Sequence, residues 1–273
     1  MKDLWLWYRW PHVLYIYIGI LLCGIVLNWI IPLDLKSWVT ISVYPFKHGN
    51  LINEIFAYHG NTIWNWLFLT VAVMNGYILT KEWDPLLANG NRNGTTNQNN
   101  KKQTLIKIFK SFLFKLIIKN LLLFITFMFI DRLFIWTGGH CALDSTSPTS
   151  NPRIIVDSEL CRAHKGNWIG GFDISGHFCF LINISLILWI ELYQLEKWLT
   201  HHSLNWDQIY RANKYIKWAH YTIISVLSVW IFLLITTSVF YHTLFEKVLG
   251  YLLGYVCPLV IYYLIPHYLP SEL

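Results

Sequence analysis

Charge is scarce in this chain: Asp, Glu, Lys and Arg supply 13% of its 273 residues, while 55% are hydrophobic. Soluble domains draw about a quarter of their residues from those four types, so an ordinary water-soluble globule is excluded and a bilayer is the implied solvent. There is no CxxC and no Cys/His set at zinc spacing. A structural metal is therefore not indicated, and no cofactor is implied. No basic stripe interleaved with aromatics lies outside the apolar runs, so the net charge of +6 does not point to nucleic acid. No cleavable signal is evident either. The first apolar run, about Val13 to Ile31, is too long for a signal core and lacks a small-residue cleavage site, so it is expected to remain as an anchor.

Apolar length and aromatic rings are abundant. A membrane-crossing helix needs ~20 mostly apolar residues, because its backbone groups must bond internally across ~30 Å of hydrocarbon. Six segments qualify, roughly 12–31, 62–80, 112–136, 172–192, 218–241 and 245–265. The fold class expected is all-α, a polytopic membrane protein with six transmembrane helices forming a single membrane domain over 1–273. The aromatic share of 17%, with 15 Trp and 16 Tyr, suits rings at headgroup level.

Loop charges set the orientation. One side carries Lys2, Arg9, Lys81, Arg92, Lys101, Lys102, Lys107, Lys110, Lys197, Arg211, Lys214 and Lys217; the other carries Lys36, Lys47, Arg153, Arg162 and Lys165. The richer side is cytosolic by the positive-inside rule, which puts both termini in the cytosol. Residues 88–103, rich in Asn, Gly and Thr, are expected to be a flexible cytosolic loop. Their Asn93-Gly94-Thr95 fits the glycosylation pattern but would stay unmodified on that side. Lys115 and Lys119, one turn apart near the start of the third span, are expected to snorkel to the interface. Asp131 and Arg132, at its other end, can pair or reach water.

Cys23, Cys179 and Cys257 fall inside apolar spans, where a thiol is a small hydrophobe. Cys141 and Cys161 lie instead in the non-cytosolic loop 137–171. There they either pair, if that compartment is oxidising, or remain two free thiols.

The densest polar cluster at a span boundary is Gly170-Gly171-Phe172-Asp173-Ile174-Ser175-Gly176-His177. On a helix Asp173 and His177 share a face, so Asp173 can orient the imidazole. Alternatively Asp173 or Ser175 is merely an N-cap, with His177 in a wet interfacial site. His242 ends span five. Span four begins where span five ends, so both histidines emerge at one face. Glu246, four residues beyond His242, can accept its ring proton if the helix resumes at once. Two histidines flanking a phosphate suit phosphoryl transfer through a phosphohistidine, one attacking and the other protonating the leaving oxygen.

These residues, with Thr137-Gly138, Cys141, Cys161, Tyr241-His242 and Lys247-Val248-Leu249-Gly250, resemble the fat storage-inducing transmembrane protein family over about residues 10–266, in size its shorter yeast-type members. The resemblance implies an endoplasmic reticulum membrane enzyme with its active site facing the lumen. Its reaction would hydrolyse fatty acyl-CoA to acyl-phosphopantetheine and adenosine bisphosphate, supporting lipid droplet formation and ER membrane homeostasis. Its partners would be fatty acyl-CoA and membrane lipids. A distant similarity to lipid phosphate phosphatases implies that His177 is the general acid and His242 the nucleophile, with Asp173, Ser175, Gly176 and Glu246 supporting. The pattern departs from those phosphatases: apolar residues stand where an arginine precedes their second histidine, Glu246 replaces their aspartate, and no Lys-to-Arg-Pro element occurs. A non-catalytic alternative is a protein that binds triacylglycerol or diacylglycerol and partitions it into droplets. A transporter or scaffold is less suited, since no inverted repeat is visible.

Overall fold

The computed structural model describes residues 11–45, 50–81, 94–142, 158–164 and 166–268. Positions 88–93, including Asn93, and the loop cations Lys47, Arg153 and Lys165 lie outside them. The chain is built of helices: α1 (Pro11–Ile30), α2 (Leu33–Ser42), α3 (Leu51–Asn53) continuing into a wider π-helical turn (Glu54–Tyr58), α4 (Gly60–Thr80) and α5 (Gly94–Trp136). After β1 (His140–Ala142), α6 (Ser158–Ala163) and β2 (Asn167–Ile169) come α7 (Gly176–His201), α8 (Trp206–Ala212), α9 (Lys214–Phe240) and α10 (Leu244–Gly254). The last helical stretch is α11 (Val256–Leu259), a second π-helical turn (Val260–Leu264) and α12 (Ile265–Tyr268).

Among the described residues five helical stretches are long and apolar enough to cross a membrane, and the helix pair α1–α2, bent by 113°, supplies a sixth candidate. This is an all-α polytopic membrane protein. The expected spans fall on these helices with ends shifted by a few residues, except at α5. That helix begins at Gly94, so the second half of the Asn-rich segment is helical. Extending an existing helix adds one hydrogen bond per residue with no new nucleus to form, so weakly helical residues can be recruited onto a long apolar one.

α7 is the centre of the bundle. Its most apolar stretch is 83% buried, against 17% for α5, which faces outward. Helices α1, α4, α5, α9, α10 and α11 all pack on α7. In hydrocarbon, packed and lipid-exposed leucines differ little in solvation, so polar contacts and close packing set how helices register. Several such contacts converge on α7. Tyr17 of α1 donates to Ser185 Oγ at 2.7 Å, and Trp64 of α4 donates Nε1–H to the Ile184 carbonyl at 2.8 Å.

The two lysines of α5 do not snorkel. Lys119 is 0% exposed, donates to Asn61 Oδ1 and sits 3.9 Å over the Trp64 ring. Lys115 Nζ lies 2.7 Å from Glu191 Oε1 on α7, which also accepts from the Tyr262 hydroxyl at 2.5 Å. A cation in a span stays inside the protein when a neighbouring helix supplies its counter-charge, and Glu191, 76 residues further along the chain, is that partner. Arg132, at the other end of α5, is exposed.

Replacing Glu191 by Leu strands the Lys115 ammonium and the Tyr262 hydroxyl. It is expected to cost roughly 3 kcal/mol or more, whereas Lys115→Met combined with Glu191→Leu costs much less, because the uncompensated charge is gone. Thermal unfolding of the detergent-solubilised protein measures both, and a double variant no more stable than the single one would refute the assignment.

Candidate active site

The segment leading to α7 is held by contacts that the preceding loop provides. Antiparallel β1 and β2 pair Cys141 with Trp168. A disulfide joins Cys141 to Cys161, and Trp168 stacks on Phe134 of α5 at 4.3 Å between ring centroids. Beyond β2 the chain turns back across the end of α5. Gly171 has φ +65°, and a Cβ there would lie 2.5 Å from the Phe134 carbonyl oxygen. Only glycine combines that left-handed backbone with such a close crossing. The next amide, Phe172 N–H, donates to Thr137 Oγ1 at 2.7 Å.

From Phe172 to Ser175 the chain is not helical, and α7 begins only at Gly176. Ser175 is the N-cap, its hydroxyl accepting from Phe178 N–H at 3.4 Å. Asp173 therefore precedes the helix and does not share a helical face with His177. The expectation that Asp173 orients His177 is corrected by the partners found: His177 Nε2 lies 2.7 Å from Asn53 Oδ1, and its ring meets Tyr58 edge-on at 6.3 Å. Asn53 itself is fixed in the short turn of α3, where its amide donates to Asn50 Oδ1 at 2.8 Å. Because an amide oxygen only accepts, this contact favours a proton on His177 Nε2.

Asp173 turns instead toward His242. The His242 Nδ1 lies 3.7 Å from Asp173 Oδ2 and 3.7 Å from Glu246 Oε2. Those distances are electrostatic contacts longer than hydrogen bonds, so Glu246 does not take the ring proton directly. The helix does resume at once, at Leu244, and Glu246 is spent on its start: Thr243 and Glu246 form a capping box, with Thr243 N–H donating to Glu246 Oε2 at 2.7 Å. The other oxygen, Oε1, accepts from Asp173 N–H at 3.2 Å, and the Glu246 carbonyl accepts from Ser175 N–H at 3.1 Å. Close packing completes the joint, since a Cβ on Gly250 would come 2.5 Å from the Ser175 carbonyl oxygen.

His242 is itself in the left-handed region, φ +60°, at the turn between α9 and α10. The end of α9 before it is capped from two sides. Lys247 Nζ donates to the Ser238 carbonyl at 2.7 Å, and Asn28 Nδ2 of α1 donates to the Val239 carbonyl at 2.6 Å. Electrostatically the corner is tense. The half-buried Asp173 carboxyl is pushed above its ordinary value by burial, with the Glu246 charge adding to the rise and His242 opposing it. Tyr241 is likewise raised, by burial and by Tyr58.

The geometry thus gathers His177, Asp173, Ser175, Gly176, His242 and Glu246 at one end of the bundle. No group of three or more His, Cys, Asp or Glu side chains among the described residues is placed to hold a metal ion. The sequence profile of the fat storage-inducing transmembrane proteins matches residues 41–262, a stretch holding both histidines. The chain belongs to this family. Among its relatives, the acyl-coenzyme A diphosphatase YFT2 of Saccharomyces cerevisiae is 35% identical over 230 residues, 81% of this chain and 80% of that one. Shorter matches include the acyl-coenzyme A diphosphatases fit1 of Schizosaccharomyces pombe, 31% identical over 46% of this chain and 44% of that one, and FITM2 of Xenopus tropicalis, 31% over 47% and 44%. No solved structure matches the chain significantly.

Within this family member, Asn53 and Tyr58 are the site neighbours that sequence reasoning missed, and Lys247, which enters there only as part of the resemblance, is given no role. Asn53 lies 124 residues before His177, and the sole local signal is the Asn50-Leu-Ile-Asn53 spacing of an Asn-capped turn.

The left-handed backbone at His242 yields a stability prediction. A left-handed residue with a Cβ carries a steric cost of about 1 kcal/mol that glycine avoids. His242→Gly is expected to unfold at a higher temperature than His242→Ala, in the opposite order to the usual Gly-for-Ala penalty. A lower melting temperature for the glycine variant would show that the turn does not need this conformation.

Proposed function

We propose that this chain is a fatty acyl-CoA diphosphatase of the endoplasmic reticulum membrane in which His242 is the nucleophile and His177 the general acid. The observation that carries the reading is the joint made by Glu246, which ties the segment before His177 to the turn bearing His242. The extended match to a relative named for this activity supports the substrate class.

The contacts suit the division of labour. His242 turns Nδ1 toward two carboxylates. A ring nitrogen facing carboxylates carries the proton, which leaves the Nε2 lone pair for attack on phosphorus. With its Nε2–H held by Asn53 Oδ1, His177 acts through Nδ1, whose proton goes to the leaving oxygen. Attack by His242 forms an N–P bond and breaks the bridging P–O bond of the diphosphate, and the proton from His177 goes to the departing oxygen. Water, deprotonated by His177, then cleaves the N–P bond and restores the enzyme. The products are acyl-phosphopantetheine and adenosine bisphosphate. Asp173 and Glu246 stabilise the positive charge that His242 acquires.

A lumenal site with both termini cytosolic accords with the twelve-to-five division of loop cations and with a disulfide on the histidine side. Fatty acyl-CoA, met at the membrane surface with its chain among lipids, is the natural partner of a polar site at the end of such a bundle.

Purified protein given oleoyl-CoA is expected to release adenosine bisphosphate, and His177→Ala and His242→Ala each to slow release by about 100-fold or more. Equal release by all three, or none by a folded parent, would favour a neutral-lipid-binding protein. The pH profile separately tests Asp173. Its raised carboxyl takes up a proton at higher pH than an ordinary aspartate, so His242 loses that counter-charge early on acidification. The native state binds this proton more readily than the unfolded chain does. The group therefore stabilises the fold as pH falls below its raised value and loses that contribution as pH rises through it. In kcat/KM the parent is expected to show an acid limb beginning above pH 3.8, the ordinary Asp value, that Asp173→Asn shifts or removes. Identical acid limbs would take Asp173 out of this role.

A further inference from the structure

One helix has no place in the packed bundle. None of the residues of α2 is buried. Its neighbour α1 has 20 residues, a length of about 30 Å that matches the hydrocarbon thickness by itself, so α1 needs no continuation to cross. Ten-residue α2 reaches only about 15 Å and does not cross. The axis turns by 113° between the two, which lays α2 roughly across the direction of α1.

The end of the bundle at which this happens is the histidine end. Asn28, in the last turn of α1, donates to the Val239 carbonyl, three residues before His242. Lys36 of α2 donates to the Asn28 carbonyl and lies within electrostatic range of Lys247. The two sides of α2 differ. Lys36, Val39 and Thr40 are partly covered by the protein, whereas Leu33, Trp38 and Ile41 are 79%, 58% and 67% exposed. Those apolar side chains continue the exposed belt of Trp29 and Ile30 that closes α1. Asp34 and Ser37 interrupt them on the outer side, a mixture suited to headgroup depth rather than to mid-bilayer, with Trp38 as the interfacial ring.

We propose that α2 is an interfacial helix whose outer side is embedded in the lipid leaflet on the histidine side, where it forms the membrane rim of the site. Its occupant is the acyl–headgroup boundary of that leaflet. Long-chain substrate slides along this rim, its chain against Trp38 and Ile41 while its anionic end passes to the Lys36 side. The second half rests on the acyl-CoA reading; the placement in the leaflet does not.

Two measurements on the full chain in phosphatidylcholine nanodiscs separate these parts. With Cys23 replaced by Ala, nitroxides at Trp38→Cys and Ile41→Cys are expected to be relaxed strongly by oxygen and weakly by a water-soluble nickel chelate. Dominant nickel relaxation at both would overturn the placement, whatever the activity. In the Trp38→Glu/Ile41→Glu variant, the ratio of kcat/KM for palmitoyl-CoA to that for hexanoyl-CoA is expected to fall about tenfold, through KM. An unchanged ratio would overturn the rim. If the parent hydrolyses neither substrate, the acyl-CoA reading and the guiding role fail together, and the nitroxides still decide where α2 lies.

Discussion

The Glu246 carboxylate is the group on which the arrangement of this end of the molecule depends. Capping-box glutamates normally satisfy an unpaired amide at the start of their own helix, and one oxygen of Glu246 does so at Thr243. The other oxygen accepts from Asp173, 73 residues earlier. A contact that is usually local therefore also fixes a distant segment. His177 follows Asp173 by four residues and His242 precedes Glu246 by four, so a single charged group, 13% exposed, governs the placement of both imidazoles. Hydrogen bonds to an ionised acceptor shielded from water are among the stronger available, which suits a joint between two otherwise separate parts of the chain.

That joint needs a floor that does not shift, and α7 provides it. Tyr17, Trp64, Lys115 and Tyr262, on four different parts of the chain, each make a polar contact to α7. In water such a helix would be positioned mainly by burying apolar surface; among lipids this bias weakens and a few polar pairs select the register. Lys115 and Glu191 show the consequence. Each alone is costly at this depth, and together they fix α5 against α7.

Much of the span architecture is legible from the sequence, because ~20-residue apolar runs leave few alternatives in a bilayer. The common end of His177 and His242 follows from span parity alone. What sequence leaves open is which side chain meets which across long separations. Asp173 pairs with His242 rather than with His177, because the chain stays non-helical until Gly176 and its carboxylate projects past the helix start. Asn53 cannot be singled out among the many asparagines, since its role arises from a short turn packed 124 residues from its partner. Lys115 and Lys119 look like snorkelling residues because nothing in the sequence shows that Glu191 and Asn61, on other helices, pack against them. The first apolar run ends near residue 31, where α1 ends, but its hydropathy gives no sign of the helix that follows the bend.

The backbone at His242 bears on why a histidine stands there at all. A connection this short between α9 and α10 requires a residue with positive φ, and glycine or asparagine would satisfy it at lower steric cost. The fold by itself thus gives no reason for an imidazole at that point, unlike the leucines of α7, whose identity packing explains. Strained conformations persist where their surroundings over-determine them. Here Lys247 and Asn28 cap the helix before the turn, while Thr243 and Glu246 cap the helix after it. The imidazole consequently has little freedom to swing away from the carboxylates. The left-handed backbone at His242 is thus a property of the short turn, held from both sides by these caps.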